Sequence, residues 1–303
     1  MRGEDGRARW SGVARCGSVW CCPVCAPARL QERAEEVGRL GTWATGEGHR
    51  VVMVTLTVAH GAGDALEELL EGVARSYSRL VSGAPWARFK GRVGMVGSVR
   101  ALELTHSEKN GWHPHIHALF VVEHEDELMA AGWDWLSERW ATVVERQLGR
   151  ARRPSSRRGV ELTLGAHAEY VAKMGLDARE VAGATTKEGH EGHRSHWRLA
   201  ADLARWGRPR DAELWRELAQ WTHGRRQLVW SRGLRALCGA DAQTEAARLE
   251  RLEELGTQTP IAVLTGGEWG RIASVPGRSL ELLELAEVAG VALEQILDAI
   301  WAP

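Results

Sequence analysis

Residues 94–123, GMVGSVRALELTHSEKNGWHPHIHALFVVE, hold two runs with the two-residue alternation of strands, Val96–Thr105 and Trp112–Val122, joined by SEKNG. Asn110-Gly111 supplies residues that tolerate the positive φ of a tight reversal, so the segment reads as a β-hairpin. Alternation sends His113, His115 and His117 to one face and Ile116, Ala118 and Phe120 to the other. The apolar face needs helices to bury it, which commits the chain to an α+β fold of antiparallel sheet and packed helices. With the turn centred between 109 and 110, facing positions sum to about 219 and Glu103 falls opposite 116, between His115 and His117. Two imidazoles and a carboxylate suit a divalent cation such as Mn²⁺ or Mg²⁺, with positions left open for substrate. The plain alternative is an exposed strand face that happens to be rich in histidine.

Four of the five cysteines crowd into ten residues: Cys16, Cys21, Cys22 and Cys25. Such crowding does not resemble an extracellular disulfide framework and points to metal. Cys22-Pro-Val-Cys25 has the spacing that bends backbone around tetrahedral zinc; reactive or buried thiols are the other reading. Cys238, alone in GLRALCG, reads as a buried small hydrophobe.

Around these features, 27–45 reads as a helix with Pro27 in its first turn, and 49–60 as a β-branched strand. Asp64 is placed to cap a helix reaching Val81. A long helix over Glu125–Leu148 carries Trp133, Leu136, Trp140 and Val144 at helical spacing. VELTL, 160–164, is a strand and 166–176 a helix. Residues 183–196 form a polar Gly/His loop. Helices over 197–206 and 211–223 precede a short strand, RRQLVW, and the tail has helices at 241–255 and 279–300 flanking a strand-like IAVLT. Residues 241–303 carry a net charge of −7 and the first 240 a net of +6, a basic body compatible with a nucleic-acid partner. No run of 18 apolar residues exists, which excludes a spanning helix, and MRGEDGRARW shows no secretory signal, so a cytoplasmic protein is expected.

Two groups of residues are ambiguous alone. Tyr170 and Lys173 share a face of the 166–176 helix, where an ammonium favours the phenolate of a nucleophilic tyrosine; a surface Tyr beside a Lys is also commonplace. Arg150, Arg152, Arg153, Arg157 and Arg158 form a basic loop that either neutralises DNA phosphates or is simply solvated. Trp197, Trp206, Trp215 and Trp221 have helical spacing, which makes them core residues before base-stacking ones.

Three motifs occur in an order that resembles a known family: the strand Val54-Thr55-Leu56-Thr57, the strand HPHIHALF containing His115-Ile116-His117, and YVAK from Tyr170 to Lys173. The chain resembles the rolling-circle replication initiators of bacterial plasmids, within the HUH single-strand endonucleases. CGSVWCCPVCA, ELTHSEKNGWHPHIHAL and GRRQLVWSRGLR resemble the actinobacterial plasmid branch, and the likeness covers about residues 12–240.

The resemblance implies a zinc-binding N-terminal segment (1–45), an HUH endonuclease core (46–180) and a helical extension with possible DNA contacts (181–240), while the charge distribution sets off an acidic C-terminal module (241–303). It implies a catalytic Mn²⁺ or Mg²⁺ held by His115, His117 and Glu103, and Tyr170 attacking the scissile phosphate to leave a 5′-phosphotyrosine and a priming 3′-OH. It assigns Cys16, Cys22 and Cys25 to structural zinc, with Cys21, His49 or His60 as the fourth ligand. The implied partners are plasmid origin DNA, single-stranded at the nick, together with a host helicase and polymerase. Some relatives carry a Glu four residues before the tyrosine for the terminating cleavage; here that position is Ala166, and Glu169 lies about 100° round the helix from Tyr170. The competing readings are a transposase of the same chemistry, a DNA-binding copy-control factor with an idle site, and a zinc hydrolase using His113, His115 and His117.

Overall fold

Among the described residues six strands, all antiparallel, form one sheet: β1 (Arg50–Leu56), β2 (Met95–Ser107), β3 (Gly111–Val122), β4 (Val160–Leu164), β5 (Arg194–Ser195) and β6 (Leu228–Trp230). Their order is β4-β1-β3-β2-β5, with β6 beside β5 on the outer edge of β2. The structure is a computed structural model that describes residue 8 and residues 16–23, 25–156, 158–165, 193–240, 264–275 and 278–287. Two compact units divide the chain, residues 16–241 and residues 1–15 with 242–303. The expected helices at 166–176 and 241–255 lie outside the described residues.

Alternation decides what each sheet face meets. Val52, Val54, Leu56, Ile116, Ala118 and Phe120 point one way and are each fully buried. Over them lie α2 (Leu66–Leu80), α3 (Gly83–Arg92), α4 (Trp133–Leu148), α5 (His196–Trp206) and α6 (Pro209–Thr222), contributing Leu69, Phe89, Trp140, Leu199 and Leu218 among others. Each such large side chain contributes about 1.5–3 kcal/mol by leaving water. The opposite face is apolar at one end only, where α1 (Cys25–Gly46) lays Val37, Leu40 and Ala44 over Val51, Val99, Leu119 and Val121. Beyond Ala101 and Leu119 that face turns polar. There the sheet presents Glu103, Thr105, His113, His115, His117 and Thr55.

Several local expectations are corrected. Asp64 does not cap α2: its carboxylate accepts from the Gly61 N–H at 2.8 Å and pairs with Arg152. The first turn of α2 is served from afar, the Leu66 N–H donating to Glu217 Oε1 of α6 at 3.2 Å. Glu217 also accepts from Trp112 Nε1 at 2.9 Å, tying the start of β3 to the same helix. The long helix is interrupted: a three-residue turn, Glu125–Glu127, passes through a π turn, Leu128–Gly132, before α4. Such widened turns break the regular helical ladder and occur often at functional sites.

In the second unit, Thr265 caps α7 (Gly266–Ser274) through a reciprocal capping box with Glu268. Of the strand-like IAVLT only Leu264 and Thr265 are described, and they lead into this helix. Of the expected 279–300 helix, the part up to Glu287 is observed in α8 (Arg278–Glu287), and 288–300 lies outside the described residues. Ile272, Leu282 and Ala286 pack with Ala8 to form that unit's own small core. No helix of the described residues is long and apolar enough to cross a membrane.

Candidate functional site

The polar end of the sheet is built by the hairpin. Glu103 pairs with His115 and Ala101 with His117, so facing positions sum to 218, one less than the even-loop expectation. The connection is the odd loop Glu108-Lys109-Asn110, with Gly111 at φ +69° and the Asn110 N–H donating to Ser107 Oγ at 3.1 Å. An odd loop centres on a residue instead of a bond, and this places Glu103 directly across from His115.

Glu103 Oε2 lies 3.0 Å from His115 Nε2 and 3.2 Å from His117 Nε2. The three ligand atoms all fall within 4.8 Å of one another. The far side of each ring is held as well. His115 Nδ1–H donates to the His113 carbonyl at a long 3.4 Å, and His117 Nδ1 meets Thr55 Oγ1 at 3.0 Å. A carbonyl only accepts, so this network puts a proton on His115 Nδ1 and leaves Nε2 facing the carboxylate. Two imidazole nitrogens and a carboxylate oxygen thus meet at about hydrogen-bond distance, an assembly that needs a positive charge at its centre. Mixed nitrogen and hard oxygen donors with outer-shell hydrogen bonds fit a divalent cation.

Electrostatics agrees with that reading. Burial works to raise the Glu103 carboxyl, but the hydrogen bonds and charges of His115 and His117 outweigh it and hold the group well below the usual carboxylate range. Burial, reinforced by His115 and His60, pushes His113 down to about 3, so it stays neutral. Its ring stacks on His60 at 4.5 Å, and His60 Nδ1–H donates to the Asn110 carbonyl at 2.9 Å. His113 therefore faces His60 and is outside the Glu103, His115 and His117 group, unlike the three-histidine arrangement. Burial likewise lowers His196 to about 4, with Glu103 opposing.

Beside Thr55 lies a cavity of about 620 Å³ lined by Thr57, Arg158, Glu161, Trp133 and Met129 among others. Of the basic loop, Arg152 pairs with Asp64, and Arg153 reaches Glu145 at 2.7 Å and Glu138 at 3.2 Å. Arg150 and Arg158 are exposed.

Cys16, Cys22 and Cys25 form the other cluster, their sulfurs within 4.8 Å of one another. The Cys25 N–H donates to Cys22 Sγ at 3.4 Å, and a hydrogen bond from the Ser18 backbone, then one from Cys22, lowers the Cys16 thiol. Cys21 is elsewhere. Its sulfur lies 3.9 Å from Thr222 Oγ1, and burial raises its pKa, because consecutive side chains diverge from this tight loop. His49 packs near Trp43 and His60 on His113, so neither histidine named for the fourth position joins the three thiols.

A family model described as replication protein matches residues 9–260. The chain belongs to the replication-protein family. It is 31% identical to a Streptomyces lividans protein named "Protein rep" over 80% of this chain and 67% of that one. A Streptomyces cyanogenus "Neomycin resistance protein" is 36% identical over 40% of the chain and 33% of its own length. A Streptococcus pneumoniae "Protein rep" is 29% identical over 49% and 45% respectively. The chain thus spans two thirds of the first relative and less than half of the other two. No solved structure gives a significant match.

Tyr170, Lys173 and Arg157 lie outside the described residues of this family member. One role went unread in the sequence. Thr55 orients His117, and its signal was a polar residue alternating within an apolar strand. Trp206 is exposed, unlike Trp197, which is buried, and Trp215 and Trp221, which are partly buried against the core.

Proposed function

We propose that the chain initiates rolling-circle replication of a plasmid by cutting and rejoining one DNA strand at the origin. The observation that carries this reading is the convergence of Glu103, His115 and His117, backed by Thr55, in a member of the replication-protein family. Glu103, His115 and His117 would hold a Mn²⁺ or Mg²⁺ ion, which when bound would polarise the scissile phosphate. Thr55 and the His113 carbonyl keep both rings aimed at Glu103. Neutral His113 and His196 add no competing positive charge beside the site.

Tyr170 is the proposed nucleophile. Its phenolic oxygen forms a bond to phosphorus as the P–O3′ bond breaks; the phenol loses its proton and the departing 3′ oxygen takes one up. Lys173 favours the phenolate. The products are a 5′-phosphotyrosyl strand and a free 3′-OH, which a host polymerase extends as a helicase opens the duplex. Exposed Arg150 and Arg158, with Arg157, contact phosphates of origin DNA that is single-stranded at the nick, whereas Arg152 and Arg153 chiefly tie their loop down. Cys16, Cys22 and Cys25 hold a structural zinc. The work is done in the cytoplasm, where plasmid DNA resides.

The test is cleavage of a single-stranded origin oligonucleotide with Mn²⁺. His115→Ala and His117→Ala abolish it, Glu103→Ala weakens it or alters the metal preference, and His113→Ala does less. Full cleavage by the unaltered protein in EDTA would sink the mechanism.

A further inference from the structure

The corner between α5 and α6 has a composition that folding does not explain. Residues 204–210, ARWGRPR, are all exposed. Trp206 is 54% exposed, the one exposed tryptophan among the described residues. Gly207, at φ +59°, ends α5 in the left-handed region and Pro209 opens α6, so the reversal is tight and throws Trp206 outward. The Arg205 guanidinium sits 4.6 Å from the indole centroid and that of Arg208 5.8 Å. Neither arginine makes an ion pair among the described residues, while Arg210 has only the exposed Glu213, at 3.2 Å. An indole left in water forgoes burial, and exposed cation–π contacts return only about 0.5–1 kcal/mol.

Stacked rings and guanidinium planes with surplus positive charge are the chemistry that binds unpaired nucleobases and their phosphates. The corner is also connected to the metal site. β5, which leads directly into α5, pairs with β2 at Thr105↔Ser195, two residues beyond Glu103. Eleven residues of α5 at about 1.5 Å each separate that strand edge from Trp206 by roughly 16 Å, about five stacked nucleotides at 3.4 Å apiece.

We propose that the α5–α6 corner, with Trp206 beside Arg205 and Arg208, is a second contact for single-stranded DNA, holding the strand several nucleotides from the cut. This rests on the reading that the chain works on DNA. It supplies affinity and sets how long a strand must be to bind well, and it takes no part in chemistry. Because stacking is tolerant of sequence, the contact adds length dependence and not base preference.

The probe is oligothymidylate, with the full chain and no added metal, so that binding is read apart from cleavage. Trp206→Ala weakens binding of a long oligothymidylate by about five-fold to about 150-fold and leaves the salt dependence unchanged. Trp206→Phe, which keeps a stacking face, retains most of the affinity. Arg205→Ala with Arg208→Ala lowers the log–log salt slope by about 1.4, at about 0.7 per phosphate on single strands. A strand of about three nucleotides, roughly 10 Å when stacked and too short to reach both sites, shows a smaller effect of Trp206→Ala. If Trp206→Ala binds the long strand within two-fold of the unaltered protein and the double arginine variant keeps its slope, the corner serves some other partner and the proposal falls. That outcome leaves the metal-dependent cleavage assay untouched, so the two readings fail separately.

Discussion

Thr55→Val tests whether the hydroxyl behind the proposed metal site matters alongside the proposed ligands. Thr55 faces His117 across the β1–β3 ladder, and its hydroxyl lies 3.0 Å from His117 Nδ1. Valine keeps the shape and strand preference of threonine, so backbone and packing are preserved and only the hydroxyl is lost. Loss of such an outer-shell partner usually lowers metal affinity 10- to 100-fold, about 1.4–2.7 kcal/mol. Here the lower end is expected. Glu103 sits 3.2 Å from the other nitrogen of the same ring, so the imidazole keeps one restraint when the other goes. Calorimetric titration of the full chain with Mn²⁺ should therefore show about tenfold weaker binding, and cleavage should recover its maximal rate at raised Mn²⁺. Thr55→Ser should bind as the unaltered protein does. Mn²⁺ affinity within two-fold of normal in Thr55→Val, or equal losses in the valine and serine variants, would refute the orienting role.

Gly111→Ala should destabilise the fold by about 2 kcal/mol or more in urea unfolding, since the position has φ +69° and a Cβ there would lie 2.9 Å from the Ala62 Cα and the Gly61 carbonyl. Gly207→Ala, at φ +59° with nothing within 4 Å, should cost about 1 kcal/mol; equal costs would show that close approach of the 61–62 loop is unimportant. Protein purified without chelator should hold about one zinc per chain, which Cys22→Ser or Cys25→Ser removes along with thermal stability. Cys21→Ser should keep the zinc, because Cys21 faces Thr222. Elemental analysis decides both points.

Much of this site was legible because strand alternation is a rigid rule. It placed His115 and His117 on one face and Ile116 and Phe120 in the core, as the structure has them. The register was off by one because sequence does not say whether a reversal around Asn110-Gly111 spans an odd or even number of residues. Asp64 had the chemistry and position of a helix cap, but its carboxylate serves Gly61 and Arg152, a choice made by the distant loop at 150–153. Helical spacing treated the four tryptophans of 197–221 alike. The end of α5 at Gly207 separates exposed Trp206 from Trp197, which packs on Ala26 and Leu30. The three clustered thiols were foreshadowed by Cys22-Pro-Val-Cys25, but divergence of the adjacent Cys21 depends on loop conformation.

The central claim is that Tyr170 becomes covalently joined to DNA. The chain has two tyrosines, and the other, Tyr77, is buried in the core, where burial, opposed by Arg100, pushes its phenol up to about 12. Incubation of the full chain with single-stranded origin DNA and Mn²⁺, a denaturing gel and mass-spectrometric mapping of the retarded species should find the 5′-phosphate on Tyr170. The adduct should vanish in Tyr170→Phe, which still binds DNA, and persist in Tyr77→Phe. An adduct that survives Tyr170→Phe, or cleavage that leaves no protein on the 5′ end, would contradict the account.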